Sequence, residues 1–93
     1  MNLKNKIKWR WEEIFTRLGA NPKHFEKTGK GSPCPVCGGH DRFTYYNKDG
    51  SGSAYCRGNC GIRGDGFYLV GALLGLDPRS QFGEICKRIE GVL

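Results

Sequence analysis

Two short cysteine pairs constrain this chain more than any other feature: Cys34-Pro35-Val36-Cys37 and Cys56-Arg57-Gly58-Asn59-Cys60. Each pair sets two thiols close together on a tight turn, and two such turns can surround one zinc ion with a tetrahedron of sulfur. The first pair has the common C-x2-C spacing. The second is one residue longer, and Gly58 and Asn59 are residue types that accept the unusual backbone angles a longer turn needs. Cys34, Cys37, Cys56 and Cys60 are therefore the expected ligands of one Zn2+. Four sulfurs leave no open coordination position, so the expected zinc is structural, not catalytic. Pro35 stiffens the first turn, and Gly38 and Gly61 let backbone amides approach the sulfurs.

His40 is the competing ligand, because C-x2-C-x2-H is a short enough spacing to bind metal. With four thiols available it reads instead as an exposed or nucleic-acid-facing imidazole. His24 reads as ordinary surface. Cys86, the fifth cysteine, falls on the apolar face of a C-terminal helix and reads as a small core residue. A disulfide framework would leave one thiol over, whereas four ligands and one bystander account for all five.

A chain of 93 residues suits one domain, and a domain of that size has a core small enough to need a metal or other staple. The longest apolar stretch, Phe67 to Leu76, is interrupted by Gly71 and Gly75 and is too short to span a membrane. The basic start, Met1 to Lys6, has no apolar signal region behind it. The expected location is therefore the cytoplasm, where thiols stay reduced. The formal charge is +6, and four thiolates with one zinc lower it to about +4. A polyanionic partner fits that balance, and so does plain solubility.

Along the chain, Ile7, Trp11, Ile14, Phe15 and Leu18 repeat at helical spacing, which predicts one amphipathic helix ended by Gly19. Trp9 falls off its apolar face and reads as packed against a long neighbour. Ala20 to Pro22 is a turn, and Glu26 to Pro33 reads as a linker carrying Lys27 and Lys30. Arg42 to Tyr46 and Ser53 to Arg57 read as two strands of a hairpin around the Asn47 to Gly52 turn. Asp65 predicts a helix N-cap, with the helix ending near Gly75. Asp77-Pro78 predicts a second helix start, carrying Phe82, Ile85, Cys86 and Ile89 as far as Gly91. The expected fold class is a small α+β zinc ribbon, an antiparallel hairpin or three-stranded sheet clamped by zinc and flanked by helices. The expected divisions are 1–32 (helix and linker), 33–64 (ribbon) and 65–93 (C-terminal helices), within one domain.

The hairpin between the cysteine pairs interleaves aromatic with charged residues. One face must cover the helices, and the other is free to stack on unpaired bases while Lys and Arg follow phosphates. The residues expected to face nucleic acid are His40, Asp41, Arg42, Tyr45, Lys48, Tyr55, Arg57 and Arg63. Phe43 reads as core. For Arg42, Lys48, Arg57 and Arg63, solvation alone accounts for the charge equally well. No nucleophile and base pair stands out, and Glu12-Glu13 reads as a solvated helix face, so no catalytic residue is expected.

The run Pro33-Cys34-Pro35-Val36-Cys37-Gly38-Gly39-His40-Asp41-Arg42-Phe43 resembles the zinc-ribbon domain of DNA primases, above all the primase-helicases of phages and plasmids. The likeness continues through Cys56 to Gly61 and Gly64-Asp65-Gly66, covering roughly Pro33 to Leu74. The x3 spacing of the second pair departs from the family's x2. His40 occupies a variable position of the motif. The resemblance implies a module that contacts single-stranded template DNA during primer synthesis, with polymerisation in a separate catalytic domain. It also implies a primase catalytic domain, helicase or polymerase as a possible partner. A zinc-stabilised protein-interaction module, docking through an apolar patch near Trp9 or Phe82, is the rival expectation. A regulator reading duplex DNA through its last helix ranks third, because that helix offers only Arg79, Lys87 and Arg88.

Overall fold

In the stretch Phe43-Thr44-Tyr45, alternate side chains must point to opposite faces of any strand they form. In the computed structural model, Phe43 and Tyr45 are fully buried and Thr44 is turned the other way, and the molecule is built around that division. The structure describes residues 3–25, 31–58 and 62–93, with the backbone alone for residues 3, 4, 39 and 40. Four strands pair in the order β1-β2-β3-β4, every pair antiparallel. They are β1 (Gly31–Cys34), β2 (Gly38–Tyr45), β3 (Ala54–Cys56) and β4 (Arg63–Gly64). Helices α1 (Leu3–Ile7) and α2 (Trp11–Arg17) precede the sheet, followed by a 3-10 turn (Pro22–Phe25). Helices α3 (Gly66–Leu74) and α4 (Phe82–Gly91) come after it.

The fold is the expected small α+β zinc ribbon with flanking helices. The sheet has one strand more than a three-stranded ribbon, because part of the expected linker, Gly31 to Cys34, pairs with β2. The register runs Gly31 opposite Thr44 and Ser32 opposite Phe43, then shifts so that Cys34 faces Gly38. That irregularity turns the chain tightly enough to form the first cysteine turn.

The expected single N-terminal helix is two helices. The chain breaks at Trp9, which takes a φ of 69°, a conformation uncommon for a bulky residue. Its N–H donates to the Gly50 carbonyl at 3.0 Å, and its indole lies over Gly50, where a Cβ would come within 2.6 Å of the ring. A helical interruption thus docks the N-terminus onto the hairpin turn. The apolar spacing still holds across it, since Ile7, Trp11, Ile14 and Phe15 are all buried.

Aromatic rings cluster within the core. Trp11 stacks on Phe15 at 5.5 Å and meets Phe67 edge-on at 5.0 Å, while Phe25 contacts Phe15, Phe43 and Tyr45. Such edge-to-face pairs contribute about 0.5–1.5 kcal/mol each beyond the area they bury. The Tyr45 hydroxyl is buried with no hydrogen-bond partner among the described residues. Burial, and secondarily the nearby Glu12 carboxylate, push its pKa well above the ordinary tyrosine value.

Asp65 caps α3 as expected. Its carboxylate accepts from the backbone N–H groups of Phe67 and Tyr68, and Gly75 ends the helix in the left-handed conformation. The last helix starts later than Asp77-Pro78 suggests. The Asp77 carboxylate accepts from Arg79 N–H and Ser80 Oγ, and Gln81 Oε1 accepts from Asp77 N–H. These bonds hold residues 78–81 in turns, so α4 begins at Phe82. It buries Ile85 and Ile89 against the core, with Cys86 partly buried beside them. Among the described residues, no helix is long and apolar enough to cross a membrane.

Candidate metal centre and nucleic-acid face

Cys34, Cys37 and Cys56 come together at one end of the sheet. Strand β1 delivers Cys34, the β1–β2 turn carries Cys37, and β3 ends in Cys56, which pairs directly with Phe43 on β2. The three Sγ atoms all lie within 4.8 Å of one another, and Cys37 and Cys56 approach to 3.5 Å. A tetrahedral zinc with Zn–S bonds of ~2.3 Å would hold its sulfurs roughly 3.8 Å apart, so the cluster suits that ion. The donor set is soft sulfur, which selects zinc over oxygen-loving cations.

Backbone amides surround these sulfurs. The N–H groups of Val36 and Cys37 donate to Cys34 Sγ at 3.4 Å, and Gly58 N–H donates to Cys56 Sγ at 3.3 Å. Donors aimed at sulfur favour the thiolate that a metal requires. Cys34 and Cys56 are buried while Cys37 is exposed, so one edge of the cluster faces water. Cys60 and Gly61 lie outside the described residues, as do Asn59 and the His40 side chain.

The glycines act differently from expectation. Gly38 has a φ of 78° and nothing near its Cβ position, so it serves the turn's conformation and not a close approach. Gly58 has no left-handed φ. It is needed for space, because a Cβ there would lie 3.0 Å from Cys37 Sγ and 3.2 Å from Arg42 Cδ. His24, read from the sequence as plain surface, is structural. Its Nδ1 donates to the Pro33 carbonyl at 2.6 Å, and its ring packs edge-on to Phe43, tying the 3-10 turn to the first cysteine turn. No local sequence signal pointed to that link.

The outer face of the sheet is formed where Thr44, Tyr55 and Arg63 stand side by side on β2, β3 and β4. Tyr55 and Arg63 are exposed there, with the Arg63 guanidinium 5.9 Å from the Tyr55 ring centroid. Arg57 is also exposed. It pairs with the Asp41 carboxylate at 3.4 Å and donates to the Asp41 carbonyl at 2.8 Å. Arg42 is exposed beside the second cysteine turn, and Lys48 lies in the turn at the far end of the hairpin.

Tyr45 does not belong to this face. It is completely buried against Phe15 and Phe25, and its neighbour Tyr46, half exposed, takes the outer position instead. The alternation rule contains this correction. With Phe43 inside, Tyr45 must be inside as well, and Thr44 and Tyr46 outside.

No solved structure matches this chain. Residues 29–67 match the family model described as the zinc-binding domain of primase-helicase, a span that takes in all four strands, the three clustered cysteines and the start of α3.

Proposed function

We propose that this chain is the zinc-ribbon module of a primase or primase-helicase and contacts single-stranded template DNA during primer synthesis. One Zn2+, held by Cys34, Cys37, Cys56 and Cys60, closes the end of the sheet and fixes the hairpin. The zinc-binding domain of primase-helicase is not a catalytic family, so nucleotide polymerisation would belong to another domain or protein. Among its partners we place the template strand first, then the primase catalytic domain, a helicase or a polymerase.

The observation that carries this reading is the outer sheet face. Two exposed tyrosines, Tyr46 and Tyr55, stand among Arg57 and Arg63 on a chain of net positive charge. Aromatic rings interleaved with cations are the means by which a protein stacks bases and follows phosphates without reading sequence. The test is a titration of the zinc-loaded protein with single- and double-stranded oligonucleotides at several salt concentrations. Binding should favour the single strand and weaken as salt rises. Equal, negligible binding to both would overturn the proposal.

A protein-docking role has its own observation, since Trp9 is 63% and Phe82 46% exposed. The Trp9 ring, however, is spread over Gly50, and Phe82 packs at 5.1 Å on Phe67. Both side chains therefore already serve the fold, which ranks this reading second.

A further inference from the structure

We infer that the outer face holds a subsite for one unpaired nucleobase, a depression of about 380 Å³ between Tyr46 and Tyr55 with Thr44 and Gly31 in its lining. This rests on the single-strand reading above and says which atoms of the strand are held. The volume falls within the ~300–1,000 Å³ usual for small-ligand pockets.

Gly31 lets β1 lie close against the Asp41 backbone at the rim of the depression. Gly31 on β1 lies opposite Thr44, and a Cβ at Gly31 would come within 2.7 Å of the Asp41 carbonyl oxygen. A side chain at that position would therefore crowd the edge of the site. Tyr55 sits between Thr44 on β2 and Arg63 on β4. Arg63 supports its ring from the β4 side, and the depression opens toward β1 and β2. A ring held from one side is pre-positioned for stacking, which lowers the ordering cost of binding.

Arg57 supplies the charge at the rim. Its guanidinium is tethered by two contacts to Asp41, one to the carboxylate and one to the backbone carbonyl, so it is aimed and not free-swinging. A guanidinium has five donors, and two contacts leave others for a phosphate oxygen of the same nucleotide. Ring, small floor and cation together fit a nucleotide unit. A paired base cannot enter, because its face is covered by its neighbours in the duplex. The pocket thereby gives a physical reason for preferring single strands.

The experiment compares a short oligothymidylate with an abasic strand of the same length and charge, using zinc-loaded wild type and Tyr46 and Tyr55 variants. Removing the bases should weaken wild-type binding at least about fivefold, since stacking contributes ~1–3 kcal/mol per base. Tyr55→Leu and Tyr46→Leu should bring the intact strand toward the abasic level, while Tyr55→Phe and Tyr46→Phe keep wild-type affinity. Arg57→Gln should instead reduce the salt dependence by about one phosphate contact. Zinc content checks that each variant is folded, and the abasic comparison on wild type needs no variant at all. Equal wild-type affinity for intact and abasic strands would overturn the base subsite and leave the DNA-binding reading standing. Binding of neither strand would overturn both. A parallel oligouridylate arm separates the sources: equal affinity supports a site for the base itself, and a wild type that binds only the ribose strand keeps the subsite but overturns template DNA as its occupant.

Discussion

Tyr45 and Tyr46 are adjacent, chemically identical and opposite in fate. Tyr45 is fully buried against Phe15 and Phe25, and Tyr46 is half exposed at the edge of the outer depression. The two faces of one thin sheet therefore have separate tasks. The inner face packs its rings into the core, and the outer face leaves Tyr46 and Tyr55 partly open to solvent. The cysteine cluster stands at the end of the sheet that both faces share, where Cys34 ends β1 and Cys56 ends β3.

The comparison breaks most visibly at the metal. Chelation of zinc, or Cys56→Ser, should unfold both faces together, read as loss of the cooperative thermal transition with loss of bound zinc. In small zinc domains the metal's binding free energy is on the order of 10 kcal/mol and is folding free energy. Retention of a native transition without zinc would show that the aromatic core suffices. Next in size is the contrast between the faces. Phe43→Ala should cost about 3–5 kcal/mol in denaturant unfolding, while Tyr46→Ala should stay within about 0.5 kcal/mol. Similar losses at both positions would mean that the faces are not divided.

Three smaller effects follow. Asp65→Ala should cost about 1 kcal/mol by removing the acceptor for two N–H groups of α3. Tyr45→Phe should leave stability unchanged or slightly raised, because it deletes a buried hydroxyl that has no partner among the described residues. A clear loss there would reveal a bond from Tyr45 to Glu12 or to a group beyond those residues. The smallest expected effect is at exposed Asp77. Its carboxyl is held below the ordinary range, first by the Arg79 N–H and then by the Ser80 hydroxyl. A depressed carboxylate stabilises above its unfolded pKa, and that contribution is lost as pH falls through the folded pKa. Thermal melts of Asp77→Asn and wild type should therefore converge at low pH.

Much of the architecture was legible because it rests on spacing. The spacing of Cys34, Cys37 and Cys56 marked where three sulfurs gather, the apolar spacing of Ile7, Trp11, Ile14 and Phe15 marked a buried helical face, and Asp65 and Gly75 bounded α3. What escaped notice depends on contacts between distant residues. The helix break at Trp9 follows from Gly50 receiving its ring, and β1 forms because Gly31 and Ser32 find β2. Neither partner is visible from the local stretch. His24 escaped for the same reason, since its role is a bond to Pro33 nine residues away. Tyr45 is a different case. Its placement inside was implied by strand alternation once Phe43 was read as core, and assigning Tyr45 to the nucleic-acid face overlooked that alternation.

The most direct test of the division between faces is residue-resolved. Backbone amide spectra of the zinc-loaded protein, recorded while a single-stranded oligonucleotide is added, report which residues sense the strand. Shifts should concentrate at Thr44, Tyr46, Tyr55, Arg57 and Arg63, with α4 and the inner-face residues Phe43 and Tyr45 little changed. Shifts centred on Trp9 and Phe82, or none on the outer sheet face at a strand concentration that saturates binding, would contradict it.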